Sequence, residues 1–488
     1  MRGDVYKISN NKLNLKSNLL HLLTELLSHL FIFRSLKRLF VIFLAGFLFV
    51  SFSSSATKNW RYSTENPEYL HRSVKEVTDV IVHDIYSPPV ASRIYAYITI
   101  AGYEAAVEGN AKYSTLAGQL HNLKPILKPG AGKEYSNSLA SVEAMLTVGR
   151  YLVASEEKID AFHSKLMKEF KDSGMPDEVF KNSLLYGKQV ASHILAWAAK
   201  DNYSQTRSMP KFAIDEDPAS WKPTPPRYMQ AVEPHWNQMR PFIIDSAQQF
   251  KPVPPPPFST DKKSEFYKEA ARVQETGVKL SSEQTEVANF WDCNPFKINI
   301  SGHVMYATKK ISPGGHWINI TRLACRKANA DLAQSAEAYA CVSITLADCF
   351  ISCWDEKYRS NVVRPETFIN QYMDADWVPL LQTPPFPEYT SGHSVVSAAS
   401  AVILTKLFGD NFSFADSTEV EFDLPVRHFK SFKSAAEEAA ISRFYGGIHY
   451  MPSITNGLKE GISVGNFVSK KLRTRKEGFV ETKELSAK

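Results

Sequence analysis

Cysteine is scarce in this sequence, with five in 488 residues. Cys325, Cys341, Cys349 and Cys353 fall within 29 residues and Cys293 stands apart. The odd count excludes complete internal pairing, and there is no CxxC spacing or neighbouring histidine for a zinc site. Cys349 and Cys353 lie one helical turn apart in an apolar segment, where buried thiols are expected. Stretches alternating apolar and polar residues are missing at useful length, which argues against a sheet-based fold. No repeat fixes a solenoid. An excess of one charge is also missing from most of the chain. The formal net charge is +6, of which +5 lies in the first 56 residues, so the remainder carries no basic stripe for nucleic acid. The run LFVIFLAGFLFVSF at 39–52 is shorter than the ~20 residues that span a bilayer. It follows Arg34, Lys37 and Arg38 and precedes Ser54-Ser55-Ala56, the pattern of a secretory signal cleaved after Ala56. An uncleaved anchor and a buried core segment compete with this reading. The expectation is an exported protein, periplasmic or extracellular, with no stable membrane association once the signal is removed.

What is present is enough apolar material for a large core: 44% of the residues are hydrophobic. From about Ser73 to Lys200, segments such as SRIYAYITIAGYEAAV and NSLASVEAMLTVGRYLVAS repeat apolar residues at three- and four-residue spacing, the period of a helix. Between Ser208 and Phe258 stand twelve of the 27 prolines, with Trp221, Tyr228 and Trp236. Such a density cannot be helix interior, and the aromatics predict an ordered strap lying over the body. Helical patterns resume after Lys262, from Asp331 to Glu356, from Ser394 to Leu407 and from Ser434 to Tyr445, the last expected to open on a capping box of Ser434 and Glu437. The expectation is an all-α protein of two stacked helical bundles. Its parts are a signal at 1–56, an N-terminal bundle at 57–207, a proline-rich strap at 208–262, a C-terminal bundle at 263–470 and a charged tail at 471–488.

Three clusters in the C-terminal third gather groups that hold an oxyanion. In the first, Lys357 and Arg364 are seven apart, which on one helix would place two cations on the same face, two turns apart. In the second, Ser391-Gly392-His393 runs into an apolar helix, combining a hydroxyl, close backbone approach and a helix N-terminus with a histidine. In the third, Arg443 and His449 flank Gly446-Gly447, whose freedom would bring both side chains to one centre despite a separation of ~120° on a straight helix. Each has an ordinary explanation alone: a solvated basic surface, an N-cap serine, a core histidine.

In order, the clusters read K-x6-R-P, S-G-H and S-R-x5-H, and with them the chain resembles the vanadium-dependent haloperoxidases, a superfamily shared with bacterial acid phosphatases and lipid phosphate phosphatases. Trp354 and Phe386 stand where haloperoxidases place aromatics around the oxyanion. The stretches VIVHDIYSPPVASRIYAYITIAGYEAAV, FWDCNP and ISCWDEKYRSNVVRPETF resemble the bacterial iodoperoxidase group, so the likeness extends over most of the chain after residue 70. The resemblance implies a vanadate cofactor, bonded to His449 and held by Lys357, Arg364, Ser391, the Gly392 amide and Arg443, mainly in the C-terminal bundle. It also implies His393 as acid and base, hydrogen peroxide and halide (iodide first) as substrates, and no haem or flavin. Two positions depart from the pattern: Thr390 replaces the usual proline, and Ser453 stands where an aspartate often follows the last histidine by four residues. That aspartate would orient the imidazole, so its absence leaves the His449 bond without its expected support. The alternatives are an acid phosphatase with a histidine nucleophile and a non-catalytic exported helical protein.

Overall fold

The computed structural model describes residues 60–476 other than Gly302, together with Thr24 and Glu25. The expected signal at 1–56 and most of the charged tail fall outside the described residues. Helices follow in the order α1 (Trp60–Thr64), α2 (Glu68–His83), α3 (Pro88–Val107), α4 (Asn137–Leu152), α5 (Glu156–Asp172), α6 (Asp177–Ala198) and α7 (Tyr203–Ser208). After the proline-rich stretch come α8 (Glu265–Val278), α9 (Ser282–Phe290), α10 (Pro313–Lys327), α11 (Leu332–Ser360), α12 (Pro365–Tyr372), α13 (Gly392–Phe408), α14 (Phe432–Tyr445) and α15 (Met451–Lys471). Strands among the described residues are two short antiparallel hairpins, β1 (Ile298–Ser301) with β2 (Val304–Ala307) and β3 (Phe414–Asp416) with β4 (Arg427–Phe429). The fold is all-helical, as the periodicity predicts.

The N-terminal helices pack around α4, which lies against α3 and α6; the C-terminal ones pack around α13, which lies against α11, α14 and α15. Contact between α3 and α11 joins the two groups, and one apolar core runs from Leu70 to Leu472 through both. α11 opens on a reciprocal capping box between Asp331 and Gln334 and ends where Asn361 turns left-handed at φ 47°. It is long and apolar enough to cross a membrane, yet its whole apolar stretch is buried inside the protein. A helix apolar on all sides takes the centre of a large core. The five cysteines are free and buried, behaving as small apolar side chains.

The proline-rich stretch carries one 3-10 turn, Trp236–Gln238, among its described residues and lies along α11. The amides of Phe242, Ile243 and Ile244 donate to the Asp348 carboxylate at 2.7, 2.8 and 3.0 Å. The Val232 carbonyl accepts from the Trp354 indole at 3.1 Å and the Tyr358 hydroxyl at 2.6 Å.

Two local expectations are corrected. α14 begins before Ser434: its capping box joins Ser431 to Ser434, and Glu437 plays no part in it. The earlier start buries Phe432 completely, its ring stacked 5.2 Å from Phe412 and 5.3 Å from Phe414, an apolar gain that outweighs the better capping pair. α13 begins at Gly392, so Ser391 is itself the N-cap and its hydroxyl accepts from the Ser394 amide.

The site depends on how closely α15 approaches α13. Gly457, Gly461 and Gly465 face it at four-residue spacing, and a Cβ on Gly461 would lie 2.1 Å from the Val395 carbonyl oxygen. Glycine there lets the two backbones touch, which fixes where the first turn of α13 sits.

Candidate active site

Lys357 and Arg364 do not share a helix. α11 stops at Ser360, and Arg364 is the N-cap of α12, followed by Pro365 at the first helical position, where proline fits best. Tertiary packing reunites them: both are fully buried, with Lys357 Nζ and the Arg364 guanidinium each 5.1 Å from the Phe386 ring centroid. Phe386 in turn lies 4.9 Å from Trp354. Lys357 Nζ donates to the carbonyls of Pro387 at 3.1 Å, Glu388 at 3.1 Å and Thr390 at 2.5 Å, cinching the loop that presents Ser391. Burial pushes Lys357 down to about 8 and Arg364 to about 10.

Arg443 lies in the last turn of α14, fully buried, with Nε donating to the Ser442 hydroxyl at 3.0 Å and Nη2 to the Ala288 carbonyl at 3.3 Å. The helix closes at Gly446, and Gly447 turns at φ 75°, a conformation that side chains resist. That turn swings His449 back toward Arg364, whose Nη1 lies 3.2 Å from His449 Nε2 while also donating to the Ile448 carbonyl at 2.9 Å.

The other imidazole nitrogen answers the doubt raised by Ser453. His449 Nδ1 is 2.7 Å from Glu388 Oε1, an oxygen that also accepts the Tyr450 amide at 3.0 Å, while Ser453 Oγ stands off at 3.3 Å. Glu388 is fully buried, and burial pushes its carboxyl up to about 7 against the pull of Arg364 and Lys357. The missing aspartate is thus replaced by a glutamate arriving from the loop before Ser391. The partners assign the tautomer: Nδ1–H donates to the carboxylate, and Nε2 keeps a lone pair. Burial and then the neighbouring cations hold the His449 pKa well below its usual value, so the ring is neutral.

His393 stands on the first turn of α13 with a hydrogen bond to the Trp291 backbone. Burial, then Arg443, holds its pKa well below the usual histidine range. A further carboxylate, Glu460, supports the loop through Thr390 Oγ1 at 2.7 Å and Ser352 Oγ at 2.8 Å. With proline at 390 this anchor would not exist.

Trp354, Phe386, Gly392, His393, Arg443 and His449 line one cleft; Lys357, Arg364 and Ser391 are fully buried and are not among its lining residues. Two buried donor or acceptor atoms in this cluster, Arg364 Nη2 and His393 Nε2, have no hydrogen-bond partner among the described residues. A Cβ at Gly392 would meet only Trp354 Cζ3, at 3.6 Å, so the space that this glycine leaves open belongs to the cleft. Unpartnered buried polar atoms are rare unless a ligand completes them. Cations, a serine hydroxyl at a helix N-terminus and a lone-pair nitrogen are the donor set of a tetrahedral oxyanion that also takes a nitrogen ligand.

The class so defined is an oxyanion centre on an all-helical scaffold. Comparison with known proteins makes it particular. Residues 337–478 match the family model described as the VCPO second helical-bundle domain. A crystal structure described as the first bacterial vanadium-dependent iodoperoxidase is 51% identical over 85% of this chain and 98% of its own, with a TM-score of 0.81. Holo and apo structures of bacterial vanadium-dependent chloroperoxidase share the fold at 16% and 15% identity, with TM-scores of 0.61 and 0.60. They cover 80% and 78% of this chain and 93% and 92% of their own. No curated protein matches. The chain belongs to the vanadium-dependent haloperoxidase family: it is a peroxidase that uses vanadate to oxidise halide with hydrogen peroxide.

Proposed function

We propose that iodide is the preferred halide and that Lys357, Arg364, Ser391, Gly392, Arg443 and His449 hold the vanadate, with His393 as the proton carrier. The observation that supports the site assignment is a cleft lined by Gly392, His393, Arg443 and His449, with Arg364 Nη1 3.2 Å from His449 Nε2 and with Arg364 Nη2 and His393 Nε2 unpartnered among the described residues. Bound vanadate supplies a Lewis acid that polarises a peroxide oxygen without changing its own oxidation state. The overall conversion is halide, hydrogen peroxide and one proton to hypohalous acid and water.

The chain's part is to bind, orient and move that proton. His449 Nε2 is the lone-pair nitrogen offered to vanadium, aimed by the Nδ1–H bond to Glu388. Arg364 and Arg443 offset the oxyanion charge in a site poor in water, and Lys357 adds its charge while keeping the Pro387–Thr390 carbonyls in place. The Ser391 hydroxyl and Gly392 amide present donors at the start of α13. His393, neutral at neutral pH, takes a proton from entering peroxide at Nε2 and returns it to the departing water. Trp354 and Phe386 form the apolar wall past which a large, weakly hydrated halide travels.

Iodide gives up electrons most easily of the common halides, and the 51% identical relative is described as an iodoperoxidase. Export is supported by Arg34, Lys37 and Arg38 ahead of the apolar run 39–52 and the small residues at 54–56. One preparation assayed in parallel for iodide oxidation, bromide oxidation and phosphate-ester hydrolysis, with and without vanadate, tests the reading. Vanadate-dependent iodide oxidation that exceeds bromide oxidation is expected, with phosphate competing against activation. Equal rates on bromide would refute the halide preference; ester hydrolysis inhibited by vanadate, without halide oxidation, would refute the assignment.

A further inference from the structure

A second constellation lies behind the cleft wall. Cys293 comes from the turn after α9, His316 from the first turns of α10, and Glu419 from the 3-10 turn Thr418–Phe422 that follows β3. All three are buried, at 2%, 0% and 2% exposure. Cys293 Sγ is 3.5 Å from His316 Nδ1 and 3.9 Å from Glu419 Oε1, and those two atoms are 3.0 Å apart. Zinc bonds of ~2.3 Å to sulfur and ~2.0–2.2 Å to nitrogen and oxygen, at tetrahedral angles, demand ligand separations of ~3.4–3.6 Å. The three observed edges bracket that range.

The second histidine nitrogen strengthens the pattern. His316 Nε2 is 2.8 Å from Asp416 Oδ2, and the other Asp416 oxygen accepts the Thr418 amide at 2.9 Å. A carboxylate on the far nitrogen is the arrangement that turns a histidine's lone pair toward a metal. Trp291 stacks on the imidazole at 4.4 Å and 22°, fixing the ring plane. The Cys293 sulfur makes only long contacts here, 3.5 Å to His316 Nδ1, whose proton is directed to Glu419, and 3.9 Å to Glu419 Oε1, to which its thiol donates.

We propose that Cys293, His316 and Glu419 bind a divalent metal ion, zinc by their donor set, oriented by Asp416 and distinct from the vanadate centre. Sulfur, nitrogen and oxygen donors in a three-ligand set select zinc over magnesium or calcium, which want oxygen alone. Binding displaces the thiol proton and one imidazole proton, so a charge of +2 enters and two protons leave, and the buried cluster keeps its net charge. Cys293 also lines the cleft, which gives the ion an entry path. The ion ties three separate chain segments into the wall that faces His393.

The full-length enzyme, purified without chelator from zinc-supplemented medium, is expected to carry one zinc ion per chain by plasma mass spectrometry. Zinc-edge absorption should show one sulfur and otherwise nitrogen and oxygen neighbours. Cys293→Ser and Glu419→Gln should lose it, while His449→Ala, which removes a vanadate ligand, should retain it. Because either first variant could misfold, the unaltered enzyme is also stripped of metal and titrated anaerobically with cobalt(II), where thiolate charge-transfer and intense tetrahedral visible bands are expected. Absence of zinc as isolated together with no cobalt uptake overturns the proposal, as does full zinc retention in folded Cys293→Ser.

Discussion

Replacing Glu388 tests the account of the vanadate site most sharply. Its Oε1 receives the His449 Nδ1 proton at 2.7 Å and the Tyr450 amide at 3.0 Å, and no solvent reaches it to take over either role. Carboxylates in this position typically contribute 10–100-fold to metal affinity, roughly 1.4–2.7 kcal/mol. Glu388→Gln keeps the shape and one acceptor oxygen but removes the charge, so about 10-fold weaker vanadate binding is expected. Glu388→Ala leaves Nδ1 with only the distant Ser453 hydroxyl, at 3.3 Å, and about 100-fold is expected. Ser453 lies close enough that Ser453→Asp in the Gln background should return a carboxylate to Nδ1 and recover much of the loss. The assay is vanadate titration of the apoenzyme, read by intrinsic tryptophan fluorescence and by restored iodide oxidation, with circular dichroism melts showing that each variant is folded. A folded Glu388→Ala protein with unchanged vanadate affinity would refute the reasoning, and so would a Ser453→Asp rescue that improves stability but not affinity.

His449→Ala should fold but retain no vanadate after gel filtration, measured as metal content. His393→Ala should keep vanadate and lose roughly 10²–10⁴-fold in turnover, since the carrier at Nε2 is gone; a variant with wild-type rates across the pH profile would reassign it as structural. Gly461→Ala forces a methyl against the Val395 carbonyl oxygen 2.1 Å away, and because backbone must move, a loss of about 1–3 kcal/mol in chemical denaturation is expected. Glu104, buried between Thr115 and Leu116, has its carboxyl pushed up to about 7 by burial, so the native state holds a proton there that the unfolded chain gives up. That contribution is complete below about 4.5 and is lost as pH rises through about 7, so stability should fall between pH 5 and 8 in the wild type and less so in Glu104→Gln. Parallel curves for the two proteins would contradict it.

The helical character of the chain was legible in the residue order, and so were the groups proposed here to hold vanadate. Three- and four-residue spacing of apolar side chains is a property of single segments, and Lys357, Arg364, Ser391, Gly392, His393, Arg443 and His449 sit in short clusters whose chemistry is visible one cluster at a time. Local rules failed where burial competed with them. The capping pair at Ser434 lost to the burial of Phe432, and the shared helix face imagined for Lys357 and Arg364 was replaced by a chain reversal at Asn361 and a common aromatic, Phe386. Glu388 lay inside the recognised loop without an assigned role, because its partner is 61 residues further on and no periodicity links them. The same holds for Cys293, His316 and Glu419, whose separations of 23 and 126 residues from Cys293 match no ligand spacing. A sequence displays which groups are available and which local shapes the backbone prefers; the partner of a buried charge is decided by which distant segments the core brings within hydrogen-bond reach, since a carboxylate or imidazole removed from water must find its counterpart there.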